Sequence, residues 1–222
     1  MKPLLLALDT THEFGSLALV CGIETLEEAA VHAPEGFAQV LYRELQKLLD
    51  RQHVSLGDID GFASASGPGS FTGVRVGLSC IKGLAEACGK PALAVSNLQA
   101  LASFGTDAQR AVWIDARRGQ VYAAVYGTGG EIVEPEVVTS LASWLAGLPA
   151  GVQLVSADFA PFEHELAACR FARDSRVTAP RALAAAIGHI ASRRLCAGET
   201  GDPAGLDANY VRRSDAELFW KD

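Results

Sequence analysis

The chain has 222 residues with a formal net charge of −7, a length that suits one large domain or two small ones. Hydrophobic residues make up 49% and charged residues 20%, enough apolar side chain for a real core, so wholesale disorder is excluded. The acidic balance argues against this chain gripping RNA by itself, because phosphate contacts call for a basic surface. Membership of an RNA-modifying assembly whose basic surface lies on another subunit stays open.

The first residues are apolar from Leu4 to Leu8 and stop at Asp9 without a small-residue cleavage site. They read as a buried first strand over 3–9 rather than a signal peptide. No run approaches the roughly 20 apolar residues of a membrane helix, and a cytoplasmic protein is expected. Residues 15–21 and 25–32 read as further strands, separated by short turns, so the chain opens as a meander. A helix follows over 36–51, with Phe37, Val40, Leu41, Leu45, Leu48 and Leu49 on one stripe. Residues 58–65 read as a strand and Gly67-Pro68-Gly69-Ser70 as a turn. A helix over 71–88, a strand over 91–95 and a short helix over 97–104 come next.

A second unit is expected from about residue 106, dividing the chain into lobes 1–105 and 106–222. Residues 111–116 and 120–126 read as a hairpin turning at Arg117-Arg118-Gly119. An alanine-rich amphipathic helix spans 181–197, and a polar, aromatic tail runs over 206–222. Strands first, then helix–strand alternation, predict mixed sheets with helices packed on them. The five cysteines (Cys21, Cys80, Cys88, Cys169 and Cys196) include no C-x-x-C pair. They read as reduced small hydrophobes, with neither a disulfide framework nor a zinc site.

The segment from Ser64 to Ala85 carries the most information. Gly67 and Gly69 flank Pro68, and Ser70 or Thr72 can cap the helix that follows. Gly73 and Gly77, four apart, share one face, and each costs about 1 kcal/mol relative to alanine. Close approach of another backbone is the natural compensation. Arg75, Ser79, Lys82 and Glu86 lie on the opposite face. Three readings follow from the residues alone. One is phosphate binding at the turn, although neither G-x-x-x-x-G-K-[ST] nor G-x-G-x-x-G is present. The second is tight packing within one subunit, and the third an intersubunit helix bundle.

The segment Ser66–Ala85 with its G-P-G-S-F-T-G-x-R-x-G pattern, the opening Leu6-Ala7-Leu8-Asp9-Thr10-Thr11, the stretch from Ile114 to Ala124 containing D-A-R-R-G, and the tail from Asn209 to Glu217 together resemble the TsaB (YeaZ) family. The match runs essentially the whole length of the chain. The resemblance implies an actin-like ATPase fold of the sugar-kinase, Hsp70 and actin kind, with two related lobes. It implies a subunit in the making of threonylcarbamoyladenosine in tRNA, partnered by TsaD, which transfers the threonylcarbamoyl group to adenosine 37, and by the ATPase TsaE. It also implies a homodimer when alone, exchanged for a TsaD heterodimer through the 36–51 and 70–88 helices. The expected interface residues are Phe37, Leu41, Leu45, Ser70, Gly73, Val74, Gly77 and Ile81.

The catalytic relative holds a metal with a His-x-x-x-His pair, two imidazoles on one helix face. The matching positions here are Asn97 and Leu101, and leucine cannot ligate a metal. The five histidines, His12, His32, His53, His164 and His189, never sit four apart. Asp9-Thr10-Thr11 echoes the acidic residue and phosphate loop of actin-like ATPases. However, His12-Glu13-Phe14 replaces the small residues that a close phosphate requires, so Asp9 also reads as a strand-end residue capping its turn. Arg117 and Arg118, like Asp9 and Thr10, are candidate nucleotide or RNA contacts, with a solvated hairpin tip as the alternative. Arg212 and Arg213 are a further basic pair. The expected role is a non-catalytic subunit with no tightly held cofactor, ATP or ADP entering only within the complex, and tRNA reached only through it. A peptidase or glycopeptidase acting on TsaD or other proteins, built around Ser66, Ser70 or Ser79, is the competing reading, and a sugar-kinase-like ATPase is the third.

Overall fold

The computed structural model describes residues 2–171 and 173–211. Ten strands and six helices alternate along the chain: β1 (Leu4–Asp9), β2 (Phe14–Cys21), β3 (Glu24–His32), α1 (Leu41–Gln52), β4 (Gly61–Ala65), α2 (Phe71–Cys88), β5 (Ala92–Val95), α3 (Asn97–Ala102), β6 (Gln109–Arg117), β7 (Gln120–Gly127), β8 (Ile132–Thr139), α4 (Leu141–Gly147), β9 (Gln153–Ser156), α5 (Glu163–Ala168), β10 (Arg176–Thr178) and α6 (Ala184–Cys196). The expected opening meander is present, and so is the β6–β7 hairpin. The start of the expected 36–51 helix is a separate 3-10 turn, Phe37–Gln39, ahead of α1. No helix among the described residues is long and apolar enough to cross a membrane.

The first sheet runs β3-β2-β1-β4-β5. β1, β2 and β3 pair antiparallel, whereas β1, β4 and β5 pair parallel. Successive side chains of a strand point to opposite faces. On one face Leu6, Leu8, Leu17 and Leu19 meet Leu41, Leu45 and Leu48 of α1 and Ile81 and Ala85 of α2. On the other lies α6, so close that a Cβ at Gly188 would stand 2.8 Å from a Val20 methyl and 3.2 Å from Ala7 Cβ. Covering both faces explains why β1 reads as an unbroken apolar run.

The second sheet runs β10-β9-β6-β7-β8, with β6, β7 and β8 antiparallel and β6, β9 and β10 parallel. Read from its other edge, it repeats the first sheet strand for strand. Its core gathers Trp113, Val121, Ala123 and Val125 against Leu141, Leu145 and Leu148. Trp113 takes edge-on contacts from Phe159 at 5.2 Å and Trp144 at 6.3 Å, a geometry that aromatic pairs favour.

The division of the chain differs from a single break at 105. One unit is Met1–Ala100 with Arg181–Ala208, and the other contains Leu101–Pro180. The helix expected to complete the C-terminal lobe therefore belongs to the first sheet. The cause is local. Ser16 Oγ on β2 accepts the Leu183 and Ala184 N–H groups at 3.1 and 2.9 Å, and Glu28 Oε1 on β3 accepts the Ala185 N–H at 2.9 Å. Three otherwise unpaired donors at the start of α6 are thus satisfied by the first sheet.

Candidate functional site

Asp9 ends β1 and is buried, as are Thr11 and Asn97. Its Oδ1 accepts from the Thr11 N–H at 3.0 Å and the Thr11 hydroxyl at 2.7 Å, and its Oδ2 from Asn97 Nδ2 at 3.2 Å. The same amide nitrogen lies 2.9 Å from Thr11 Oγ1, while Asn97 Oδ1 accepts the Gly67 N–H at 3.1 Å. A buried carboxylate is tolerable only when its oxygens are hydrogen-bonded, and three donors of this chain do so. The arrangement is that of a strand-end carboxylate closing its own turn.

The glycine-rich segment wraps this knot. Ser70 N–H donates to Thr11 O at 2.7 Å, and Thr10 Oγ1 donates to Gly73 O at 2.7 Å. A Cβ at Gly73 would lie 2.0 Å from Thr10 O, and one at Gly77 would lie 2.5 Å from Thr10 Oγ1 and 2.8 Å from Ser64 Oγ. The close approach that these glycines permit is made by the same chain. Phe37, Leu41, Leu45, Val74 and Ile81 are likewise buried in the first unit's core. Of the residues expected at a partner interface, Phe37, Leu41, Leu45, Val74, Gly77 and Ile81 are thus buried within this chain and Gly73 is half-buried. Ser70 is exposed and caps α2, accepting the Gly73 N–H at 3.2 Å.

The outward side of α1 and α2 carries other residues. Tyr42 is 64% exposed and Phe71 43% exposed, and the Arg75 guanidinium lies 3.7 Å over the Phe71 ring. Tyr42 hydrogen-bonds the Cys80 thiol, whose burial pushes its pKa up to about 11, so the thiol stays neutral and unreactive. Ser79, Gly83 and Ala87 form an exposed small-residue row at four-residue spacing. A Cβ at Gly83 would meet nothing within 4 Å, so nothing inside the chain offsets the helix cost of this glycine. The sequence reading passed over Gly83. Its signal was available, since six residues at roughly 100° each place it well away from the Gly73 and Gly77 face.

Arg117 and Arg118 lie in the other unit, at the tip of the β6–β7 hairpin. Arg117, Arg118 and Gly119 all have positive φ, at 64°, 55° and 71°. Side chains at the two arginine positions cost about 1–2 kcal/mol each in this conformation. Arg212 and Arg213 lie outside the described residues. Of the two positions matched to the catalytic relative's histidine pair, Asn97 is in the knot and Leu101 is buried. Among the described residues no group of three or more His, Cys, Asp and Glu side chains is placed to hold a metal ion.

Two mixed sheets with the same strand order, each flanked by helices, define an actin-like ATPase fold. Residues 30–195 match the family described as TsaD, tRNA N6-adenosine threonylcarbamoyltransferase. The tRNA threonylcarbamoyladenosine biosynthesis protein TsaB of Bacillus subtilis is 32% identical over 146 residues, covering 64% of this chain and 64% of that one. Its Escherichia coli counterpart is 33% identical over 162 residues, 64% of this chain and 68% of the relative. A Pseudomonas aeruginosa protein with similarity to peptidase YeaZ superposes with a TM-score of 0.75 at 29% identity, covering 95% of this chain and all of that one. The chain belongs to the TsaB (YeaZ) family of threonylcarbamoyladenosine biosynthesis proteins.

Proposed function

We propose that this chain is a non-catalytic partner subunit of the cytoplasmic complex that installs threonylcarbamoyl on adenosine 37 of tRNA, and that it binds and stabilises TsaD. TsaE is the second partner and a homodimer the resting form. ATP or ADP enters only with the assembled complex. The observation that carries this reading is Asn97. Where the catalytic relative places its first metal-binding histidine, this chain places an amide consumed by Asp9, Thr11 and the Gly67 backbone. The competing peptidase reading draws nothing from Ser70, whose hydroxyl serves as a helix cap.

The partner surface we assign is the outward side of α1 and α2, with Tyr42 and Phe71 as aromatic anchors and the row at Ser79, Gly83 and Ala87 as the line of closest approach. Gly83→Leu tests it. The open space at this position lets the variant fold, while a bulky side chain holds a second helix away. Light scattering of the chain mixed with TsaD should give a heterodimer for the natural chain and separate species for Gly83→Leu. A heterodimer indifferent to this change would sink the interface, and a natural chain that never associates with TsaD would sink the subunit reading.

A further inference from the structure

We infer that the tip of the β6–β7 hairpin is an RNA phosphate-backbone contact, through which this chain itself touches the nucleic acid. The inference rests on the subunit reading above and deepens it. The two-residue turn Arg118-Gly119 has positive φ at both positions, the geometry that Asn-Gly or Asp-Gly fills without strain. An arginine there is a poor choice for the hairpin. Arg117 repeats the departure one residue earlier, where the ladder skips from Asp115↔Val121 to Arg117↔Gln120. Asp115 Oδ1 locks that bulge by accepting the Arg117 N–H at 2.7 Å. Bulges redirect side chains, and both arginines emerge exposed, the Arg117 side chain at 85%. The Asp115 carboxylate stands 3.8 Å from the Arg117 guanidinium, a solvent-screened separation that leaves the cation available to a stronger anion.

The chemistry of the tip selects the ligand. Protein docking sites are built on a buried apolar centre, whereas the tip itself, Arg117-Arg118-Gly119, carries no large apolar side chain, and the exposed Val137 of β8 lies back along the sheet opposite Ala123. A phosphate backbone needs no such centre. It takes point contacts from guanidinium forks, which position the nucleic acid without reading its sequence. Two such contacts on a chain of net charge −7 add to an assembly's affinity and do not replace it.

The test is tRNA binding by the complex reconstituted with TsaD, titrated from low to moderate salt, with Arg117→Gln/Arg118→Gln beside the natural chain. Each phosphate contact contributes roughly 0.7–0.9 to the slope of log affinity against log salt. The double variant should shallow that slope by about 1.5 and weaken binding roughly tenfold at low salt. Arg118→Asn separates a binding role from a structural one. It relieves the turn, so its melting temperature should rise while RNA affinity falls. An unchanged slope and affinity in the double variant, with the heterodimer intact by light scattering, overturns the inference and leaves the subunit reading standing. If the natural chain forms no heterodimer with TsaD, the subunit reading has failed, and the RNA contact that rests on it is overturned with it.

Discussion

At the scale of single residues, Asn97 ties the knot together, because one amide serves a carboxylate, a hydroxyl and a backbone N–H that are all buried. Removing it leaves a buried charge and a buried donor short of partners. Asn97→Ala should lower the unfolding free energy by about 2–4 kcal/mol, read from the denaturant midpoint. Asn97→Asp carries a sharper signature. A second carboxylate beside Asp9 is driven toward its protonated form, so the folded state binds more protons than the unfolded chain, and stability falls as pH rises. This variant should lie closer to the natural protein at pH 5 than at pH 8, and a pH-independent deficit would refute the knot. The strand-end role of Asp9 was readable from its place after an apolar run. Asn97 was readable only as a departure from a histidine, since its partner lies 88 residues away and local patterns carry no information at that range.

At the scale of elements, α2 separates three glycines that look equivalent in a propensity table. Gly77 is held against Thr10 and Ser64, whereas Gly83 faces open space. Alanine should therefore act with opposite sign at the two positions. Gly77→Ala forces Thr10 and the knot to move and should destabilise by about 1–3 kcal/mol. Gly83→Ala should stabilise by up to about 1 kcal/mol through helix propensity. Equal effects in thermal or chemical unfolding would contradict the packing described. The 3.6-residue period located α1, α2 and α6 in the sequence, because each buries one face. It gave no guide to which of two candidate faces was the buried one. Gly73 and Gly77 advertised a close approach, and whether the approaching backbone came from this chain or from another was beyond the reach of spacing. The short elements β9, β10, α4 and α5 carry too few periods to stand out, while β8, as long as β2, buries none of its residues and so shows no apolar face.

At the scale of the whole molecule, the strand order of the first sheet is repeated in the second, yet the two copies are not successive stretches of chain. The first unit is left at Ala100 and re-entered at Arg181, so its sheet is completed by a helix that begins about ninety residues after its last strand. A single division near 105 follows naturally from composition, because no linker marks the return and α6 is amphipathic wherever it packs. The physical consequence is testable with fragments. A chain of residues 1–105 lacks α6 and would expose the Ala7 and Val20 side of the sheet, along with a Ser16 hydroxyl that otherwise accepts two N–H groups of α6. An uncovered apolar sheet face of this kind costs more than a small domain's net stability of about 5–15 kcal/mol can absorb. That fragment should bind a hydrophobic dye and unfold without a cooperative transition. Residues 1–100 joined by a flexible linker to 181–208 should recover a sigmoidal transition, and Ser16→Ala in that fusion should weaken it by about 1 kcal/mol or more. A cooperative 1–105 fragment would mean that α6 is an ornament on a sheet already stable without it.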